Sequence, residues 1–374
     1  MSPSELSASQ ASAPTLSPTS NIPGKAFNRI IQIWLENTDY DVAAGNEDMK
    51  WLATQGIALT NFWALTHPSQ PNYLAAVGGD SFGMDSDDFY SLPSNISTIV
   101  DLLDMKGISW GSYMEGMPYA GFQGEKYRNQ ENGADNYVRK HNPLILYGSV
   151  TSNATRPSLI KNFTSLDEDI RGNKMPQWSF LTPNMTNDGH DTSLPHAATW
   201  ARSFLTPLLA NTSFISNSTL ILLTFDENHR YPIQNHIFTI LLGNAIPDSL
   251  HGTEDNTFYT HYSILSTVQA NWGLPSLGRW DCGANIFSLV SNATGYVNWN
   301  VDPKNLYFNT TYPGPLSKRR YVPNWPRPET QEACAAGNGV WEGVKRVWGD
   351  GKGAMNYTWP YPVDEMSGNN VGGS

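Results

Sequence analysis

Two apolar runs restrict what this chain can become: residues 29–37 (RIIQIWLEN) and 219–228 (TLILLTFDEN). Neither alternates apolar and polar residues. Such short continuous runs belong to interior strands of a parallel sheet, buried on both faces. Both stop abruptly in oxygen-rich side chains, Glu36-Asn37 and Asp226-Glu227. Further strand-like runs lie at 56–60, 108–113, 178–181 and 237–242. Helical patterns separate them at 47–55, 97–105, 197–209 and 263–272, two of them closed by Gly107 and Gly273. This alternation predicts an α/β fold, a mostly parallel central sheet with helices on both faces. Ligands of such sheets gather beyond the carboxyl ends of the strands. Glu36-Asn37, Glu115, residues 184–191 and Asp226-Glu227 are thereby expected on one rim.

The 374 residues show no compositional break after about residue 28. Residues 1–27, rich in Ser, Pro, Thr and Ala, are expected to be a disordered leader. Residues 28–298 are expected to form the main domain. From 299 to 374 the periodicity dissolves, with Trp325, Trp341, Trp348 and Trp359 among Pro and Gly, which suggests an irregular extension packed on the domain. A net charge of −11 argues against a nucleic-acid partner, which needs a basic surface. No run is long enough for stable membrane insertion.

The two cysteines, Cys282 and Cys334, allow one disulfide or two free buried thiols. Sequons occur at Asn95, Asn153, Asn162, Asn184, Asn211, Asn217, Asn292, Asn309 and Asn356, and N-glycans are expected at some of them. Sequons and cysteines together point to a secreted protein. No signal peptide is visible, so the expectation is that it has been removed.

The segment Thr66-His67-Pro68-Ser69-Gln70-Pro71-Asn72-Tyr73 reads as a stiff turn. No Gly-x-Ser-x-Gly elbow surrounds Ser69, so a bound metal would have to activate it as a nucleophile. Asn72, three residues on, offers amide hydrogens to an anionic oxygen. Glu36-Asn37 suits a divalent cation or a helix cap. Asp226-Glu227 suits a cation or a solvated turn. The loop at 182–191 (TPNMTNDGHD) can present His190 as proton donor or phosphate contact, or form an Asx-rich turn. His261, just before a helix, could reach the same rim or serve as a cap.

Taken in order, Glu-Asn, Ser-x-x-Asn, Asn-Asp-Gly-His-Asp, Phe-Asp-Glu-Asn and Tyr-Thr-His-Tyr-Ser resemble the phosphoesterase family of the alkaline phosphatase superfamily, over about residues 27–295. HPSQPNY, TPNMTNDGHD and FYTHYSILSTVQANWGLP are similar to fungal secreted acid phosphatases. Bacterial acid phosphatases and phospholipases C are related. The resemblance implies a three-layer fold and one divalent metal (Ca, Mg, Mn, Fe or Zn) on Glu36, Asn37, Ser69, Asp226 and Glu227. Ser69 would be the nucleophile and Asn72 would hold a phosphoryl oxygen. His190 and His261 would contact phosphate as cations, oriented by Asp188 and Asp191. Asp188 and His236 are further candidate site residues. The two-metal Asp-x-x-Gly-His element is two residues shorter here, Asp188-Gly189-His190, which argues against a second metal. The implied activity is a metal-dependent acid phosphatase acting on phosphomonoesters through a phosphoserine. The alternatives are a phosphodiesterase or phospholipase C, a phosphatase dedicated to one intermediate of fungal metabolism, and a non-catalytic secreted glycoprotein.

Overall fold

The two apolar runs become neighbouring strands, in parallel, with Leu35 opposite Phe225. The computed structural model describes residues 2–129, 132–216, 218–303, 309, 311–331, 334 and 338–349. In chain order its strands are β1 (Arg29–Leu35), β2 (Ile57–Leu59), β3 (Phe62–Trp63), β4 (Trp110–Met114), β5 (Lys126–Arg128), β6 (Asp135–Val138), β7 (Ile160–Lys161), β8 (Trp178–Thr182), β9 (Thr219–Phe225), β10 (Thr239–Leu242), β11 (Thr253–Asp255) and β12 (Tyr259–Thr260). Eight form one sheet in the order β11-β2-β10-β9-β1-β8-β4-β7. Strand β10 runs antiparallel to β9 and β2, and the remaining pairs of this sheet are parallel. The expected mostly parallel α/β sheet is therefore present. Strands β1 and β9 are buried almost throughout, so neither needs a polar face.

Helices surround the sheet in packed groups. Glu47–Ala53 meets Leu194–Leu209, where Asp48 accepts from Thr199 Oγ1 and Arg202 Nη1 at 2.8 Å each. Ser69–Gly78 meets His261–Trp272. Helix Ile99–Lys106 starts with a Thr98/Asp101 capping box and ends at Gly107, whose φ of 68° favours glycine. No helix of the described residues is long and apolar enough to cross a membrane.

The leader is not a free chain. Pro3–Ser12 forms a helix, and Ser20 Oγ donates to Gln177 Oε1 at 2.6 Å. Low hydrophobicity suggested disorder, but polar side chains dock the segment across the sheet. The extension packs on the body through Trp325 against Phe82 and through a disulfide between Cys282 and Cys334. It also contains a helix, Glu342–Trp348. Trp359 lies outside the described residues.

The Ser69 segment differs from expectation. It is the first turn of helix Ser69–Gly78, after a cis His67–Pro68 peptide. Pro71 fits because first-turn backbone groups need no N–H: they have no intrahelical acceptor. The same residues that make a stiff turn also make a helix start.

Candidate active site

Backbone pairing carries β1 and β9 directly into the site. Asp226 N donates to Leu35 O at 3.0 Å, and Glu36 N donates to Asp188 O at 2.9 Å. Asn37 then turns into the left-handed region, φ 37°, and its own N–H donates to Asp226 Oδ1 at 3.1 Å. Asn tolerates this conformation better than most residues. Pairing beyond β8 and β4 does the same, with Glu115 N donating to Thr182 O. Glu115 itself accepts from Asn184 N and Asn187 Nδ2, both at 2.9 Å, and so fastens the 184–191 loop. Of the rim residues, Glu115 is therefore a loop anchor.

Ser69 Oγ lies 3.2 Å from Glu36 Oε2 and 3.5 Å from Glu227 Oε1. With its amide nitrogen turned inward, the Asn37 side chain donates to Glu227 Oε1 at 3.1 Å and to Asp226 Oδ1 at 3.2 Å. Tyr73 Oη donates to Glu36 Oε1 at 2.5 Å. Glu36, Asp188, Asp226 and Glu227 are all buried, and Asp226 Oδ2 and Asp188 Oδ2 have no hydrogen-bond partner among the described residues. Burial, reinforced by neighbouring carboxylates, raises Glu36 and Glu227 well above the carboxylate range. Burial likewise raises Asp188 well above that range and pushes Asp226 to about 6. Packed acids of this kind favour a cation between them. The five oxygen donors Glu36, Asn37, Ser69, Asp226 and Glu227 fit a hard or borderline divalent ion. A second group, Glu36, His141 and Asp188, has ligand atoms within 4.8 Å of one another. Here His141, not His190, supplies the imidazole. It lies 3.2 Å from Glu36 Oε1 and 3.5 Å from Asp188 Oδ2, and burial holds it neutral.

Asn72 sits where the phosphoryl contact was expected, but its amide is engaged. Oδ1 accepts from Leu65 N at 2.9 Å and Thr66 N at 3.3 Å. Nδ2 donates to Thr66 O at 2.7 Å, with Pro68 O and Glu227 Oε2 at 3.3 Å. The amide clamps the turn that delivers Ser69. This local wrapping follows from a buried asparagine satisfying the turn's backbone groups.

The histidines separate by burial. His261 is fully buried, and its Nε2 donates to Asp226 O at 2.7 Å. Burial depresses its pKa to about 3, which opposes the expected role as a phosphate-binding cation. It fixes the backbone of Asp226 instead. His236 is stacked between Tyr40 and Trp63, with Nε2 on Thr60 O at 3.0 Å and a pKa near 4 through burial. Its ring is spent on packing, not on the metal pocket. His190 remains at the rim, with Nδ1 2.9 Å from Asp191 Oδ1 and Nε2 3.2 Å from Lys140 Nζ. An ammonium only donates, so Nε2 accepts and the ring hydrogen of neutral His190 lies on Nδ1. Asp188 Oδ1 accepts from His190 N at 2.8 Å.

Lys140, His141, Tyr73 and Asp87 were not singled out from sequence. The one available signal was the dense run Arg139-Lys140-His141-Asn142-Pro143, directly after β6. Two cavities flank the rim. One, of about 310 Å³, is lined by Asn37, Thr38, Val42, His190, Leu194 and His229 among others. The other, about 190 Å³, includes Gln70, Asp87, Phe89 and Lys140.

Comparison with known proteins follows this geometry. The phosphoesterase family matches residues 32–275. An acid phosphatase of Aspergillus fumigatus is 57% identical over 98% of this chain and 83% of its own length. A phosphate-repressible acid phosphatase of Penicillium chrysogenum is 54% identical over 98% of this chain and 89% of its own. A solved protein of the alkaline phosphatase superfamily from Vibrio parahaemolyticus is 12% identical, covering 72% of this chain and 74% of its own, with TM-score 0.45.

Proposed function

This chain belongs to the phosphoesterase family and is a phosphoric ester hydrolase, and from that premise we propose that it is an acid phosphatase acting on phosphomonoesters through phosphorylated Ser69. The observation that carries the reading is Ser69 Oγ at a helix start, within 3.5 Å of two carboxylates from two different strand ends. A single divalent cation would be held by Glu36, Asn37, Ser69, Asp226 and Glu227. When bound, it supplies positive charge to a serine alkoxide and to phosphoryl oxygens.

The remaining steps belong to side chains. Glu36 and Glu227 orient the Ser69 oxygen for in-line attack on phosphorus. Asn72 clamps the 65–68 turn and keeps that oxygen in line. His190, held by Asp191, gives a proton to the leaving alcohol. Burial and Lys140 lower its pKa below 6.5, so it is charged only in acid. When charged, its Nε2–H turns from Lys140 to the leaving oxygen. Water then hydrolyses the phosphoserine.

Secretion belongs to the same proposal. The disulfide and the exposed sequon residues Asn95, Asn153 and Asn292 support it. Asn162, Asn184, Asn211 and Asn309 are half-buried, the first three with side chains hydrogen-bonded locally and Asn309 with its amide on Tyr231 O. They suit glycans less well. Asn217 and Asn356 lie outside the described residues.

The test compares wild type with Ser69→Ala on p-nitrophenyl phosphate and bis-p-nitrophenyl phosphate near pH 5. The variant should lose about a thousandfold or more in kcat on the monoester. Acid-quenched wild type should carry phosphate on the peptide containing Ser69. Survival of monoester turnover within tenfold, or preference for the diester, would overturn the reading.

A further inference from the structure

We propose that Lys140 is a substrate-binding residue, its ammonium donating to a phosphoryl oxygen of the phosphomonoester held at Ser69. The inference rests on the reading of Ser69 given above. It begins with Asp87, whose two carboxylate oxygens face different ways. Oδ1 accepts from Gln70 N at 2.9 Å, in the first turn of the Ser69 helix. Oδ2 accepts from Lys140 Nζ at 3.0 Å. One carboxylate therefore fixes the ammonium against the helix start that carries the nucleophile. It also occupies the Gln70 N–H, which a helix start would otherwise offer to an anion.

The hydrogens of Lys140 can be counted. An ammonium has three. One goes to Asp87 and one to His190 Nε2, at 3.2 Å. The third has no partner among the described residues. The side chain is 18% exposed and lines the open 190 Å³ cavity, so an anion entering there can reach that hydrogen. Lys140 also stands between the two cavities: it lines the 190 Å³ cavity with Gln70 and Asp87, and it touches His190 of the 310 Å³ cavity. A donor without an acceptor, at the junction of two cavities and anchored to the nucleophile's helix, calls for an oxygen anion. A phosphoryl oxygen supplies one. A lysine ammonium is charged throughout the acid range, so it meets an anionic substrate as a cation. In a chain of net charge −11, such a cation gives an anionic substrate a local attraction that the whole surface does not.

Asp87 is then a positioning residue for Lys140. A lysine that merely steered His190 would affect the pH profile and kcat alone. A lysine that touches phosphate must also affect binding of inorganic phosphate, which has no leaving group to protonate.

The test uses the full chain, with Lys140→Met and Lys140→Arg. Lys140→Met should raise the inhibition constant of inorganic phosphate and the KM of p-nitrophenyl phosphate together, by about tenfold or more. Lys140→Arg should recover part of both. Asp87→Asn should shift both in the same direction by less. Unchanged thermal melting separates these effects from misfolding. If melting falls, phosphate binding to the Ser69→Ala chain is measured with and without Lys140→Gln, and equal affinities overturn the proposal. It also fails if Lys140→Met leaves the phosphate inhibition constant within twofold while lowering kcat as His190→Gln does. A wild-type chain that binds inorganic phosphate through Lys140 but does not turn over monoesters would sink the phosphatase reading and leave the lysine site standing.

Discussion

The oxygen pocket around Ser69 and the rim formed by Lys140, His190 and Asp191 lie side by side and are built on opposite principles. The pocket crowds buried carboxylates with no cationic side chain hydrogen-bonded among them, so its acids are driven toward their neutral forms. The rim pairs each charge: Lys140 with Asp87, His190 with Asp191. A pocket of unneutralised acids is incomplete until a cation enters, whereas a rim of satisfied pairs is complete and has one donor to spare. The difference teaches where charge must come from: outside the chain for the pocket, inside it for the rim.

Metal removal gives the largest expected effect. Dialysis against a chelator near pH 5 should reduce monoester turnover to background, and about one equivalent of a divalent cation should restore it. Turnover that survives with no detectable metal by elemental analysis erases the contrast between pocket and rim. Next comes Asp226→Asn. It should lower kcat by about a hundredfold to a thousandfold, yet raise the melting temperature of the metal-free chain, because a buried repelling acid is gone. A lower metal-free melting temperature would show that the pocket is neutralised in some other way.

The pH dependence sharpens the same point. Asp226 has an ordinary pKa near 3.8 and a folded value of about 6. Its raised value means that the folded state holds the proton more tightly than the unfolded state does. Stability of the metal-free chain is therefore fully present below about pH 4 and declines as pH rises toward 6. The loss from this group is on the order of 3 kcal/mol. Denaturant titrations at pH 4 and pH 7 should show that decline without metal and much less of it with metal. His190→Gln should cost about tenfold in kcat/KM and flatten its alkaline limb, with little change in stability. Smallest is His261→Gln. It should cost about 1 kcal/mol of stability by weakening the bond to Asp226 O, with the pH profile unmoved. A shifted profile would return His261 to the rim.

Legibility in the sequence follows the same division. Glu36-Asn37 and Asp226-Glu227 were readable because each directly follows an apolar run, and strand direction puts both at one edge. Residues of 108–113 and 178–181 were readable as strands for the same reason, with ends displaced by only a few residues. His141 and Lys140 were not readable. They follow a short hairpin, β5–β6, in a 3-10 segment with no periodicity, and only folding sets them against Glu36 and His190. Asn72 and His261 were visible as residues, but not as to which atoms their polar groups would meet.

By itself, the sequence determined the α/β sheet and the convergence of two acid-bearing strand ends, because burial and strand polarity are local consequences of apolar runs. It also carried the serine, and the ordered motifs that tied it to phosphate chemistry. Tertiary structure alone decided that Ser69 opens a helix, that Asn72 clamps the turn before it, that His261 is sealed behind Asp226, and that Asp87 ties Lys140 to the helix start carrying Ser69. Those outcomes depend on which distant groups share a hydrogen bond or lose their water, and no local pattern encodes that.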